Sequence, residues 1–253
     1  MRPEWEYVGT DFAGGVRGWN VPAVEAAYRR RWPEFEAVAR AATTLGIAHE
    51  VPLRQRVVAD DLGWQGVVLA FGYVLARAAR ARSHLSLLDW GGGPGHYDVL
   101  ARELLPEVEL EYHSRDLPRL AALGRELVPQ ATFHDDDACL DRKYDLVVAS
   151  DSLQYTRDWE SLLARLAAAA DPWLFVGLLP VARRVASFVV VQRPDAYGYE
   201  TEYESWVLNR ESLLQEALGA GLTLEREFLA PGVIDAVGAP EPGILRSFLF
   251  RRG

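Results

Sequence analysis

The densest chemical signal in the chain is the run Asp89-Trp90-Gly91-Gly92-Gly93-Pro94-Gly95. An Asp-x-Gly-x-Gly-x-Gly spacing between an apolar run and an amphipathic one lets the backbone turn sharply and approach a ligand without interference from Cβ atoms. That suits a nucleotide-like cofactor. The dinucleotide fingerprint Gly-x-Gly-x-x-Gly fails in both frames: His96 stands three residues after Gly93, and a start at Gly92 puts Pro94 where the second glycine belongs. A carboxylate closing the next strand would accept hydrogen bonds from a ribose diol. Asp116, within Arg115-Asp116-Leu117-Pro118, is the candidate, with Glu111 as the alternative.

The five histidines, at 49, 84, 96, 113 and 134, show no metal-ligand spacing. His96, beside the glycine turn, and His49 are the candidates for a general base. Asp135-Asp136-Asp137 reads as a solvated acidic loop in preference to a site for a hard cation, so no metal is expected. Tyr197, Tyr199, Tyr203 and Trp206 either wall an acceptor pocket, with Glu200 and Glu202 as polar contacts, or simply pack their segment on the sheet; both readings stand.

These residues need a scaffold. From Leu85 onward short apolar runs alternate with amphipathic ones, the pattern of strands joined through helices in a parallel sheet. Strands are predicted at Leu85 to Leu88, Val108 to Tyr112, Ala131 to Phe133, Tyr144 to Ala149, Trp173 to Leu179, Leu222 to Phe228 and Ile244 to Phe250. Helices are predicted at Tyr97 to Leu105, after Pro118, at Trp159 to Ala170, and after Asn209, which can cap its helix. The last two strands have no room for a helix between them, so the last runs antiparallel. The result is an α/β fold with a doubly wound, seven-stranded, Rossmann-like sheet. Residues 1–84 are expected to form a helical cap or substrate region, with helices at Val21 to Ala42 and Trp64 to Ala81, and residues 85–253 the cofactor-binding domain. An insertion at 181–208 interrupts that domain. Cap and insertion sit where they could cover the carboxyl edge of the strands, where such sheets bind ligands.

Composition excludes several classes. The 253 residues are 49% hydrophobic and 25% charged, as in a globular protein. A net charge of −9 repels phosphate backbones, so no nucleic-acid partner is expected. Arg29-Arg30-Arg31 reads as a solvated helix face. Ser150-Asp151-Ser152-Leu153 is not the Asn/Asp-Pro-Pro-aromatic motif of adenine N-methylation, and Cys139 lacks the Pro-Cys setting of cytosine attack. Cys139 is the only cysteine, which excludes an internal disulfide and fits a reducing, cytoplasmic location. Trp173 to Ala182, the longest strongly apolar stretch near the middle, is too short to span a bilayer, so no membrane association is expected. A homodimer is compatible with all of this.

The run Leu88 to Gly95 followed by Arg115-Asp116-Leu117-Pro118 resembles the motif pair of small-molecule O-methyltransferases, and Tyr144 to Tyr155 resembles the strand-four segment of class I methyltransferases. Gln192-Arg193-Pro194, Tyr199 to Arg210, Leu153-Gln154-Tyr155 and a Trp-rich N-terminal segment resemble a family of methyltransferases from natural-product and polysaccharide gene clusters. The resemblance implies S-adenosylmethionine as methyl donor, with S-adenosylhomocysteine as product. It implies cofactor contacts at Asp89, Gly91, Gly93, Gly95, Asp116, Leu117 and Ser150, and at Asp135 or Asp136 for the adenine. It also implies substrate contacts at Gln154, Tyr155, Tyr199, Tyr203 and Trp206. Where relatives carry Leu-His-Tyr this chain has Leu153-Gln154-Tyr155, and glutamine cannot take a proton, so a strand-four general base is in doubt. The implied activity is O- or N-methylation of a small molecule such as a sugar, amine or pathway intermediate. The alternatives are a methyltransferase fold that performs another reaction, or a non-catalytic scaffold.

Overall fold

The computed structural model describes residues 2–48 and 50–253. In chain order its elements begin with β1 (Trp5–Gly9), α1 (Pro22–Ala39), α2 (Leu62–Ala78), β2 (His84–Trp90), α3 (His96–Leu104), β3 (Glu109–Arg115), α4 (Pro118–Leu127) and β4 (Thr132–His134). There follow β5 (Tyr144–Ser150), α5 (Trp159–Ala169), β6 (Ala170–Ala182), β7 (Phe188–Gln192), β8 (Tyr203–Asn209), α6 (Arg210–Gly219), β9 (Leu222–Ile234) and β10 (Gly243–Arg252).

Strands β4, β3, β2, β5 and β6 lie side by side in that order, all parallel. β10 runs antiparallel between β6 and β9. This is the expected seven-stranded frame with its antiparallel last strand. The chain winds outward from β2 to β4 and then returns to β5 on the other side, which opens a crevice at the carboxyl ends of β2 and β5.

Two-residue periodicity explains the two cores. On β5, Leu146 and Val148 enter the core shared with α1, α2 and α3, while Val147 and Ala149 enter the one shared with α5 and α6. All four are fully buried, as expected for a central strand covered by helices on both faces. Asn209 caps α6 as predicted, its Oδ1 accepting the Ser212 N–H at 3.0 Å.

The structure adds three strands to that frame. Within the segment 181–208, β7 and β8 form an antiparallel pair from Phe188 opposite Val207 to Gln192 opposite Tyr203. β1 extends this pair along β7, so the N-terminal segment is not purely helical. Val181 and Ala182 of β6 pair in parallel with Leu208 and Asn209 of β8, which joins the extension to the frame and makes a sheet of ten strands. The partners of β1 lie far away in sequence, and pairing at that distance has no local signature.

Candidate active site

β2 carries Asp89 and Trp90 to the crevice, and the glycine turn leads into α3. The glycines of the turn serve different purposes. A Cβ on Gly92 would lie 2.3 Å from Asp89 Oδ2 and 2.7 Å from Ser114 Oγ, and one on Gly91 would strike Ser152. One on Gly95 would press on Phe133 and Val128, so that glycine serves the packing of α3 and lies outside the cavity wall. Gly93 is different. At φ +57° its Cβ would meet only His96 Nδ1, at 3.8 Å, and the residue faces a cavity of about 470 Å³.

Asp116 stands on the same wall. Its Oδ2 accepts the Gly93 N–H at 2.7 Å and its Oδ1 accepts the Leu117 N–H at 2.6 Å. Burial pushes its carboxyl up to about 6, against the opposing pull of these two donors. Asp89 lies outside the cavity wall, with Oδ2 accepting from the Tyr112 hydroxyl and Oδ1 buried without a partner among the described residues. Burial, opposed by the Tyr112 hydroxyl and reinforced by the charge of Asp116, pushes Asp89 up to about 7.

Residues from Phe12 to Asn20 also line this cavity, none of which was a predicted site residue. Buried Glu204 holds this segment, accepting the N–H groups of Ala13 at 2.7 Å and Gly14 at 3.0 Å. The Gly18 N–H donates to the Glu202 carbonyl at 3.0 Å, and the Thr201 hydroxyl donates to the Gly18 carbonyl at 2.7 Å. This strap places Arg17 and Trp19 against the cavity. Its available signal was the set Gly14, Gly15 and Gly18, all with left-handed backbones that mark tight turns.

A second cavity, of about 170 Å³, lies beyond Asp151 and is lined by Gln154, Tyr155, Tyr197, Tyr199 and Tyr203 among others. Glu50, Asp151, Tyr155 and Tyr203 line both cavities and so form the boundary between them. Asp151 has a left-handed backbone, φ +50°, and its carboxylate accepts from the Gln154 amide and, at 3.2 Å, from the Tyr155 hydroxyl. Desolvation by the surrounding protein, followed by the charge of Glu50, pushes it up to about 7. Neither Glu50 nor Asp151 was a predicted site residue.

The remaining candidates separate. Leu117, Ser150 and His96 are on the larger cavity's wall, with Ser150 Oγ 2.8 Å from the Tyr97 hydroxyl and His96 set among Tyr28, Trp32 and Phe35. His49 lies outside the described residues. Trp206 lines neither cavity; its ring packs on Phe12 and its Nε1–H donates to the Arg157 carbonyl at 3.2 Å. The structure does not bring Asp135 or Asp136 to the cavity: Asp135 pairs with Arg125 at 3.3 Å and Asp136 accepts the Ala138 N–H at 3.0 Å. Glu111 pairs with Arg142 and His113 and lies outside the cavity wall, so of the two candidates only Asp116 reaches it. Among the described residues no group of three His, Cys, Asp or Glu could hold a metal, and no helix is long and apolar enough to cross a membrane.

A family model described as a methyltransferase domain matches residues 68–226. Among solved structures, a candidate sarcosine dimethylglycine methyltransferase from Galdieria sulphuraria aligns with a TM-score of 0.55 at 12% identity, over 90% of this chain and 98% of that one. An S-adenosylmethionine-dependent methyltransferase from Clostridium acetobutylicum aligns with a TM-score of 0.50 at 12% identity, over 74% of this chain and 92% of its own. At these identities the likeness is one of fold. No curated protein matches the sequence.

Proposed function

We propose that this chain, which belongs to the methyltransferase-domain family, binds S-adenosylmethionine in the larger cavity and transfers its methyl group to a small-molecule acceptor. One observation carries the reading: the Gly93 N–H to Asp116 hydrogen bond of 2.7 Å, which sets the glycine turn and the acid after β3 on one wall of the crevice. Asp116 keeps lone pairs free for a ribose diol, and the uncrowded side of Gly93 lets a ligand approach the backbone closely. Arg17 lines this cavity, with a 3.5 Å contact to the Glu200 carbonyl, and would receive the cofactor's carboxylate. Leu117 and Ser150 line the rest of the cofactor's path.

The bound cofactor supplies an electrophilic methyl on a sulfonium, whose leaving group departs as a neutral thioether. What remains for the protein is alignment of the acceptor and exclusion of water, which together can supply much of the acceleration. The strap and the aromatic boundary of Tyr155 and Tyr203 enclose the place where the two ligands meet. A second cavity of about 170 Å³ supports a small acceptor over a macromolecule.

Calorimetry with S-adenosylhomocysteine tests this directly. One molecule bound per chain is expected, and no binding overturns the reading. Binding without release of S-adenosylhomocysteine from S-adenosylmethionine across a broad panel of acceptors would point to a scaffold.

A further inference from the structure

The smaller cavity has an unusual wall. Six aromatic side chains line it, namely Trp5, Trp64, Tyr155, Tyr197, Tyr199 and Tyr203, together with the carboxylates of Glu50 and Asp151. Among the described residues its lining holds no lysine, arginine or histidine. Three of the four tyrosine hydroxyls on that wall are engaged within the protein. Tyr199 donates to Glu50 at 3.1 Å, Tyr155 to Asp151 at 3.2 Å and Tyr203 to Gln192 at 2.6 Å.

Acceptors are in surplus by contrast. Gln154 is 1% exposed, and its Oε1 has no hydrogen-bond partner among the described residues. Its amide orientation follows from chemistry, because the side-chain nitrogen must face the Asp151 carboxylate to which it donates. A buried acceptor without a donor costs on the order of 1–3 kcal/mol. The carboxylates of Glu50 and Asp151 on the cavity wall would accept from a ligand rich in N–H donors. Aromatic faces attract cations, most strongly where water is excluded, and two carboxylates facing a low-dielectric space do so further. A neutral alcohol would gain little from this wall, and an anion would be repelled.

We infer that the smaller cavity is the acceptor subsite and that its ligand is a small primary or secondary amine, bound as the ammonium by Asp151, Glu50 and the surrounding rings. The inference rests on the cofactor reading above and narrows its acceptor to one chemical class. About 170 Å³, roughly the share of five or six waters in the liquid, fits a single ring or short chain. Asp151 stands at the boundary of the two cavities and is the proton acceptor. An N–H bond of the ammonium breaks, an O–H bond forms on the Asp151 carboxylate, and the electron pair stays on nitrogen. That nitrogen then bonds the methyl carbon while the pair of the breaking C–S bond remains on sulfur. A carboxyl held near neutrality is suited to this exchange.

The test uses two probes of similar shape, cyclohexylamine and cyclohexanol, titrated into the full chain with and without S-adenosylhomocysteine. Binding is read by the fluorescence of the tryptophans, two of which line the cavity. The amine is expected to bind at least about tenfold more tightly than the alcohol. Asp151→Asn and Glu50→Gln should each reduce that preference at least about fivefold, while the alcohol's affinity stays within about twofold and so reports an intact pocket. Failure of the amine to bind, equal affinity for the two probes, or a preference that survives both substitutions overturns the inference. If one variant loses the alcohol as well, the other decides. Calorimetry with S-adenosylhomocysteine on the same wild-type sample separates the two readings: its failure removes the cofactor assignment, whereas the amine preference is measured without cofactor.

Discussion

The Gly93 backbone N–H donates to Asp116 Oδ2 at 2.7 Å, tying the turn after β2 to the acid that closes β3. Removing the acid therefore acts twice. Asp116→Ala should weaken S-adenosylhomocysteine binding by about 1–3 kcal/mol through lost ribose hydrogen bonds, and should also lower stability because the Gly93 and Leu117 N–H groups lose their acceptor. Calorimetry and denaturant melts separate the two effects. Unchanged affinity would move the ribose contact to another carboxylate.

The glycines of the turn predict opposite phenotypes. Gly93→Ala puts its methyl where the protein itself leaves room, at a backbone cost of about 1 kcal/mol, so the variant should fold and lose cofactor affinity. Gly92→Ala drives a methyl to within 2.3 Å of Asp89 Oδ2, and overpacking of that kind costs about 1–3 kcal/mol. Its thermal midpoint should fall well below that of Gly93→Ala.

Glu204→Ala releases the strap by removing the acceptor of the Ala13 and Gly14 N–H groups. Limited proteolysis between residues 10 and 20 should speed up at least about threefold, because cleavage follows the population of the opened segment. Bound S-adenosylhomocysteine should dissociate faster. A proteolysis rate equal to that of the wild type would show that the strap is held elsewhere, for example by the 2.6 Å pair of Asp11 and Arg157.

Without ligand, stability should decline from pH 5 to pH 8. Asp89 and Asp151 are raised to about 7 and Asp116 to about 6, from an unfolded value of 3.8. Between those limits the folded chain holds more protons than the unfolded one, so the stability present below pH 3.8 is lost as pH rises through the folded values. His134, lowered by burial, opposes this trend below about pH 6.5. Glu111, lowered to about 2 by Arg142 and His113, matters only in acid, where its stabilisation is lost as pH falls. Urea melts at pH 5, 6.5 and 8 check the direction, and stability rising across the range would contradict it.

The sequence by itself determined the frame, the glycine turn and the acid after β3. Each rests on a local pattern: β-branched apolar runs ending on polar residues, as at Tyr144 to Ser150, a glycine spacing that only a tight turn explains, and Asp116 set at a strand end before Pro118. Cap and strand boundaries mostly fell within a few residues for the same reason, as at Asn209. Tertiary structure alone decided which residues share a cavity. β1 pairs with β7 across most of the chain, Glu204 reaches back to Ala13, and Glu50 meets Asp151 at the boundary of two pockets. Long-range contacts leave no periodicity in the residues that make them, so Asp151 was not among the candidate site residues, and Trp206, for which the wall and packing readings both stood, packs on Phe12 and lines neither cavity. The glycine turn and Asp116 were legible because they lie within one strand–turn–helix unit and the strand beside it. The wall proposed for the acceptor forms only where tertiary structure brings distant carboxylates and aromatic rings around one space.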